Sequence, residues 1–227
     1  MQAGRRHHQA HARSDLGALE HLRGCAQVGL IAPDETTRQW LAATGEPAAQ
    51  ALDLAGCAGD EGAPATTHVF DAATLAPQVA APHSPANTRA VGEFDQVRVD
   101  VAYIGACTGA KLDDLRAAAQ VFKGAKVAPG VRLMVAPASL QDQAQAEAEG
   151  VMAVLRQAGA DVLPTSCGAC SGYGGSIPDG ANVIATTARN FKGRMGSATA
   201  QVYLASPYTV AASALRGLIS DPREVMA

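Results

Sequence analysis

The hydrophobic pattern changes character near residue 97. Downstream of it, short apolar runs alternate with amphipathic stretches. VRVDVAYIG (97–105) has the β-branched and aromatic run of a buried strand, and ACTGAK (106–111) is a turn. In LDDLRAAAQVFKG (112–124) the apolar positions recur with helical period. VRLMVAP (131–137) predicts a second strand, followed by a long amphipathic helix from Leu140 to Ala158. ADVLP (160–164) predicts a short third strand that runs into TSCGACSGYGG. NVIATT (182–187) and QVYLAS (201–206) are strands four and five, and PYTVAASALRGLI (207–219) is a closing helix with Pro at its start. Strands alternating with helices predict an α/β fold, a parallel-rich sheet with helices on its faces.

Upstream the pattern is weaker. Residues 17–45 read as a short βα unit: an apolar QVGLIAP run, then a helix with Asp34 as its N-cap. Residues 46–66 are rich in Ala, Gly and acids and read as a loop, and the Pro-rich stretch 68–91 reads as an extended crossover. The first 16 residues, MQAGRRHHQAHARSDL, are polar with no apolar period and predict an irregular start rather than a His metal site. Three regions are therefore expected: a polar start (1–16), a partial α/β segment with the crossover (17–96), and an α/β domain (97–227).

Composition narrows the function. With 48% hydrophobic and 17% charged residues the chain can bury a large core, and with only 4% aromatics that core must be filled by Ala, Val and Leu. A net charge of −3 and a pI near 6.0 argue against nucleic acid as a partner. No apolar run has the length of a membrane helix and no apolar leader opens the chain, so a cytoplasmic location away from membranes is expected. The odd, clustered set of five cysteines then reads as metal-binding or reactive thiols rather than a disulfide framework.

In an open parallel sheet, ligands sit beyond the carboxyl ends of the strands. Cys107 follows the first strand of the domain, Cys167 and Cys170 the third, Arg189 and Arg194 the fourth, and Ser206 the fifth. Four separate segments thus deliver polar residues to one edge. The thiols, spaced C-x59-C-x2-C, suit a metal centre. Zinc would want a fourth ligand, and no His follows His83 to supply one. A cubane iron–sulfur cluster usually takes four Cys, so three would leave one iron open as a Lewis acid. Two arginines in a Gly-containing loop could fork onto carboxylates. The rival readings are a C-x-x-C redox pair, although SGYGGSIPDG cannot open the helix such a pair normally starts, and plain surface arginines. Cys25 and Cys57 read as small buried hydrophobes.

The segments IGACTGAKLDDLRAAAQVFKGAKVAPGVRLMVAPAS, SCGAC and TTARNFKGRMGSATAQVYLASPYTVAASAL resemble the aconitase superfamily, and most of all its isopropylmalate dehydratase and homoaconitase-type large subunits. GLIAPDETT and LAPQVAAPHSPANTRAV are similar to the segment that precedes the cluster domain there. The resemblance implies a [4Fe–4S] cluster held by Cys107, Cys167 and Cys170, and contacts from Arg189 and Arg194 to the carboxylates of a small hydroxycarboxylate substrate. It implies a hydro-lyase, with this chain matching the C-terminal half of the large subunit. The N-terminal half and a separate small, swivelling subunit that carries the Ser base would then be partners. Gly109 and Ala188 stand where the family usually has Asn, and Leu19 and Arg23 where it has an active-site Asn and Glu. The rival expectation is a truncated, non-catalytic homologue that only binds a cluster or folds.

Overall fold

The computed structural model describes residues 13–14, 33–45, 66–67, 71, 73–173 and 177–226. The QVGLIAP run, nearly all of the 46–66 loop, Leu19, Arg23, Cys25 and Cys57 lie outside the described residues or at their margin. The chain divides into two compact units, 1–74 and 75–227.

In the first unit, α1 (Glu35–Ala43) begins where the sequence pattern predicts it. The Asp34 carboxylate accepts from the Thr37 N–H at 2.8 Å, satisfying one of the donors that a helix start leaves unpaired. Strands β1 (Arg13–Ser14) and β2 (Thr66–Thr67) pair antiparallel.

The second unit is built on one seven-stranded sheet. Its strands are β3 (Gln78–Ala80), β4 (Thr88–Ala90), β5 (Val101–Gly105), β6 (Arg132–Ala136), β7 (Asp161–Val162), β8 (Asn182–Ala185) and β9 (Gln201–Ala205), in the order β4-β3-β9-β8-β5-β6-β7. The five strands from β5 to β9 are parallel to one another. The Pro-rich stretch makes an antiparallel hairpin, β3–β4, whose first strand pairs antiparallel with β9 at the sheet's edge. From β5 the chain winds outward through β6 to β7, then returns to the other side of β5 for β8 and β9. The winding direction therefore reverses between β5 and β8, the kind of switch point beside which open α/β sheets bind ligands.

Helices α2 (Leu112–Phe122), α3 (Leu140–Ala148), α4 (Val151–Ala158) and α5 (Pro207–Arg216) cover the sheet. The single helix expected over 140–158 is two. Gly150 adopts a left-handed conformation (φ 76°), which ends α3 and starts α4. Glycine takes that conformation without the clash a Cβ would bring. An ion pair between Arg156 and Glu147 spans the break, and Arg116 of α2 grips Glu149 through Nε and Nη2 at 2.8 and 2.6 Å.

Among the described residues of this unit, helices cover one face of the sheet and loops the other. Side chains alternate along each strand, so neighbouring residues serve opposite faces. Ala102, Ile104, Leu133, Val135 and Ile184 pack with Leu115, Phe122, Met152, Leu155 and Val210 of the helices. Nearly all the buried apolar residues contributed by α2–α5 join that cluster, Ala117 being the exception. Val101, Tyr103, Met134, Ala136, Val183 and Ala185 face the other way, and meet Ala169, Cys170, Ile177 and Met195, which come from loops. No described helix is long and apolar enough to cross a membrane.

Candidate functional site

The loop-covered face leads directly to the carboxyl edge of the sheet. β5 ends at Gly105, and Ala106 turns the chain sharply with a left-handed backbone (φ 66°), unusual for a residue with a Cβ. Cys107 follows at once and is exposed. Thr186, just past the end of β8, ties this turn down. Its Oγ1 accepts from the Gly105 N–H at 2.9 Å and donates to the Gly109 carbonyl at 2.7 Å. Gly109 lies so close that a Cβ there would sit 2.1 Å from the Thr186 carbonyl oxygen. A side chain at 109, such as the Asn usual in the resembled family, would therefore require the β5 and β8 loops to separate.

The second pair of thiols lies beyond β7. Gly168–Ser171 forms one 3-10 turn, ended by Gly172 in a left-handed conformation (φ 83°), so no α-helix grows from the CGAC motif. Cys167 is exposed and Cys170 is buried. The turn rests on the arginine loop where two glycines cross: a Cβ on Gly172 would lie 3.0 Å from the Gly196 Cα.

Arg189 and Arg194 are placed differently. Arg194 is half-buried. Its Nη2 lies 3.7 Å from the Cys170 sulfur, its guanidinium stands over the Phe191 ring at 5.5 Å, and its buried Nε has no partner among the described residues. Arg189 is exposed, and its guanidinium makes no hydrogen bond or ion pair among the described residues. Asn190 between them is fully buried and holds the loop in place. Its Nδ2 donates to the carbonyls of Ala81 (2.8 Å) and Val202 (3.0 Å), which joins the arginine loop to β9 and to the chain after β3.

Tyr103 lies in the same buried cluster as Cys170. It is completely buried on the loop-covered face, and its ring lies across Gly105, where a Cβ would sit 2.2 Å from the phenol Cζ. Glycine two residues on along the strand thus lets the ring extend toward the carboxyl edge. Burial, helped by the nearby thiols of Cys170, Cys167 and Cys107, pushes the phenol pKa up to about 12. The Cys170 N–H acts in the opposite sense and favours the phenolate, yet among the described residues the hydroxyl has no partner at hydrogen-bonding geometry.

Among the described residues, no three His, Cys, Asp or Glu side chains converge tightly enough to hold a single metal ion. Cysteine ligands of a cluster have a looser requirement, since the thiolates bind different irons. The donor chemistry, three thiols with a half-buried guanidinium on one sulfur and an unsatisfied hydroxyl beneath them, fits an anionic sulfur-rich group. Ser206 serves the fold instead, because its Oγ accepts from the Thr209 N–H at 3.3 Å and caps α5. It also borders an apolar groove with Leu75, Pro77, Tyr208 and Met226, which contains none of the three thiols and neither arginine.

Sequence reasoning missed Tyr103, Ala106, Thr186 and Asn190. Tyr103 sits in an apolar run, where an aromatic residue reads as core. Ala106 carries no turn signal. Asn190 had a local cue, as the one amide between the two arginines.

Residues 89–217 match the aconitase family (aconitate hydratase). The chain is 42% identical over 203 residues to the 3-isopropylmalate dehydratase large subunit of Elusimicrobium minutum, an alignment covering 88% of this chain and 48% of that one. The Moorella thermoacetica protein of the same name is 48% identical over 158 residues, covering 69% and 38% of the two chains. A large subunit 1 from Methanopyrus kandleri is 39% identical over 208 residues, covering 87% and 47%. The chain spans about half the length of the curated relatives it matches, or somewhat less. Strand-end thiols, the arginine loop and the family match agree in extent, and the chain belongs to the aconitase family.

Proposed function

We propose that this chain is the cluster-bearing part of a hydro-lyase that dehydrates and rehydrates a small hydroxycarboxylate, in the manner of 3-isopropylmalate dehydratase. The observation that carries this reading is that Cys107, Cys167, Cys170 and Arg194 all follow strand ends at one edge of the parallel sheet, with Arg194 Nη2 3.7 Å from the Cys170 sulfur. The three thiolates would hold a [4Fe–4S] cluster. When bound, such a cluster supplies a Lewis acid through the iron that lacks a protein ligand, toward a hydroxyl or carboxylate oxygen.

The chain's own residues would do the rest of the binding. The Arg194 guanidinium, fixed against Phe191 and Cys170, would present its remaining N–H groups to a substrate carboxylate. Arg189, exposed on the same loop, would take a second carboxylate. Each charged hydrogen bond contributes roughly 1.5–3 kcal/mol. Asn190 keeps the two arginines in register with β9. Dehydration also removes a proton from carbon, and we assign its acceptor to elements outside this chain: a small subunit, and the part of the relatives' length that has no counterpart here.

The test is anaerobic purification with iron and sulfide quantitation. About one four-iron cluster per chain is expected, and Cys107→Ser, Cys167→Ser or Cys170→Ser should each strongly deplete it. Cys57→Ser should leave iron unchanged. A colourless protein with stoichiometric zinc, or iron loss in C57S as deep as in C167S, would overturn the assignment.

A further inference from the structure

Neither cluster ligation nor carboxylate binding uses the Tyr103 hydroxyl, and its position is costly. A buried hydroxyl without a partner forfeits the hydrogen bonds it made to water. Phenylalanine would fill the same space in the same strand without that cost. The ring is nevertheless accommodated by a glycine at 105 and extends toward the edge from which the three thiols come. A neutral thiol is a weak acceptor, whereas a thiolate is a strong one.

We propose that Tyr103 is a positioning residue for the metal centre: its O–H donates a hydrogen bond to sulfur of the thiolate-bound cluster, on the Cys170 side. Cys170 packs in the same buried cluster as Tyr103, and it is the buried member of the three thiols. The phenol carries one O–H donor, and a thiolate offers only acceptor lone pairs. The phenol can therefore only donate to a negatively charged neighbour. With Arg194 Nη2 directed at the same sulfur, Cys170 would receive two donors, while exposed Cys107 and Cys167 face solvent. Donors on cluster sulfur stabilise the reduced state, which carries one more negative charge, and so raise the reduction potential. The same bond gives the otherwise orphaned hydroxyl a partner once the cluster is in place, which couples loading to stability.

This inference rests on the cluster reading, and the experiment separates the two. Wild type and Tyr103→Phe are compared as full chains, metal-free and after anaerobic reconstitution with ferrous iron and sulfide. Metal-free Y103F should unfold at a higher temperature than metal-free wild type, because an unsatisfied buried hydroxyl has been removed. Reconstituted Y103F should hold the same iron as wild type, yet show a lower reduction potential by EPR-monitored titration. Its iron–sulfur stretching bands should also lose part of the shift that wild type shows in D2O. A purely packing role would move the unfolding temperature equally in both states and leave potential and isotope shift unchanged, and that result overturns the proposal. If wild type takes up no iron and sulfide at all, the cluster reading fails first and the role of Tyr103 falls with it.

Discussion

The two faces of the sheet are built from the same strands but covered by different material. On one face, helices α2, α4 and α5 press Leu115, Phe122, Met152, Leu155 and Val210 onto Ile104, Leu133, Val135 and Ile184. On the other, loops press Cys170, Ile177 and Met195 onto Tyr103, Met134 and Ala185, with small alanines filling much of the remainder. A helix satisfies its own backbone, so it can be placed by apolar burial alone. A loop cannot, and this one needs Thr186, Asn190 and two crossing glycines to hold it. Stability should therefore depend most on the helical face and ligand placement on the loop face.

The strongest challenge to that division is Phe122→Ala. Phe122 is fully buried in the helical core, and truncation should cost about 3–5 kcal/mol in urea unfolding. Iron bound per folded chain should not change. A fall in iron within the folded fraction would mean that the faces are not separable.

Thr186→Val tests the loop face with a smaller energy. It removes the acceptor of the Gly105 N–H and the donor to the Gly109 carbonyl while keeping the shape of the side chain. A loss of roughly 2 kcal/mol is expected, and iron should be released under conditions that leave the rest of the sheet folded. Iron retention matching that of wild type would show that the Cys107 turn is held by something other than Thr186.

Ser206→Ala is the mildest. Ser206 lies at the same sheet edge as the thiols but serves as the cap of α5, so its loss should cost about 1 kcal/mol by thermal unfolding and leave iron content unchanged. If S206A instead depleted iron, Ser206 would have to be counted with the site.

The elements legible in the sequence are those governed by local rules. The apolar runs that became β5, β6, β8 and β9 are continuous, α2 and α5 keep one apolar face, and Asp34 and Pro207 mark helix starts through side-chain and backbone chemistry that acts within one turn. Gly150 shows the limit of a periodic pattern. The apolar spacing continues through it, but the left-handed backbone there ends one helix and begins another. The strand-end rule was enough to nominate the Cys and Arg residues, because a parallel sheet sends every βα connection to one edge.

What that rule could not supply is how the loops meet beyond the edge. The approach of Gly109 to Thr186 spans 77 residues and that of Gly172 to Gly196 spans 24, distances over which no periodicity carries information. Nor does a sequence show that the two faces of this sheet are covered so differently, since Ile104 and Tyr103 are neighbours in one apolar run and only the strand's alternation sends one to the helices and the other to the loops around Cys170. Composition and pattern therefore determined that this chain makes a parallel sheet with thiols and arginines at one end. Tertiary packing decided which arginine reaches a sulfur, which hydroxyl is left beneath it, and which glycines had to be glycine, because each of those depends on a contact between segments that only the closed sheet brings together.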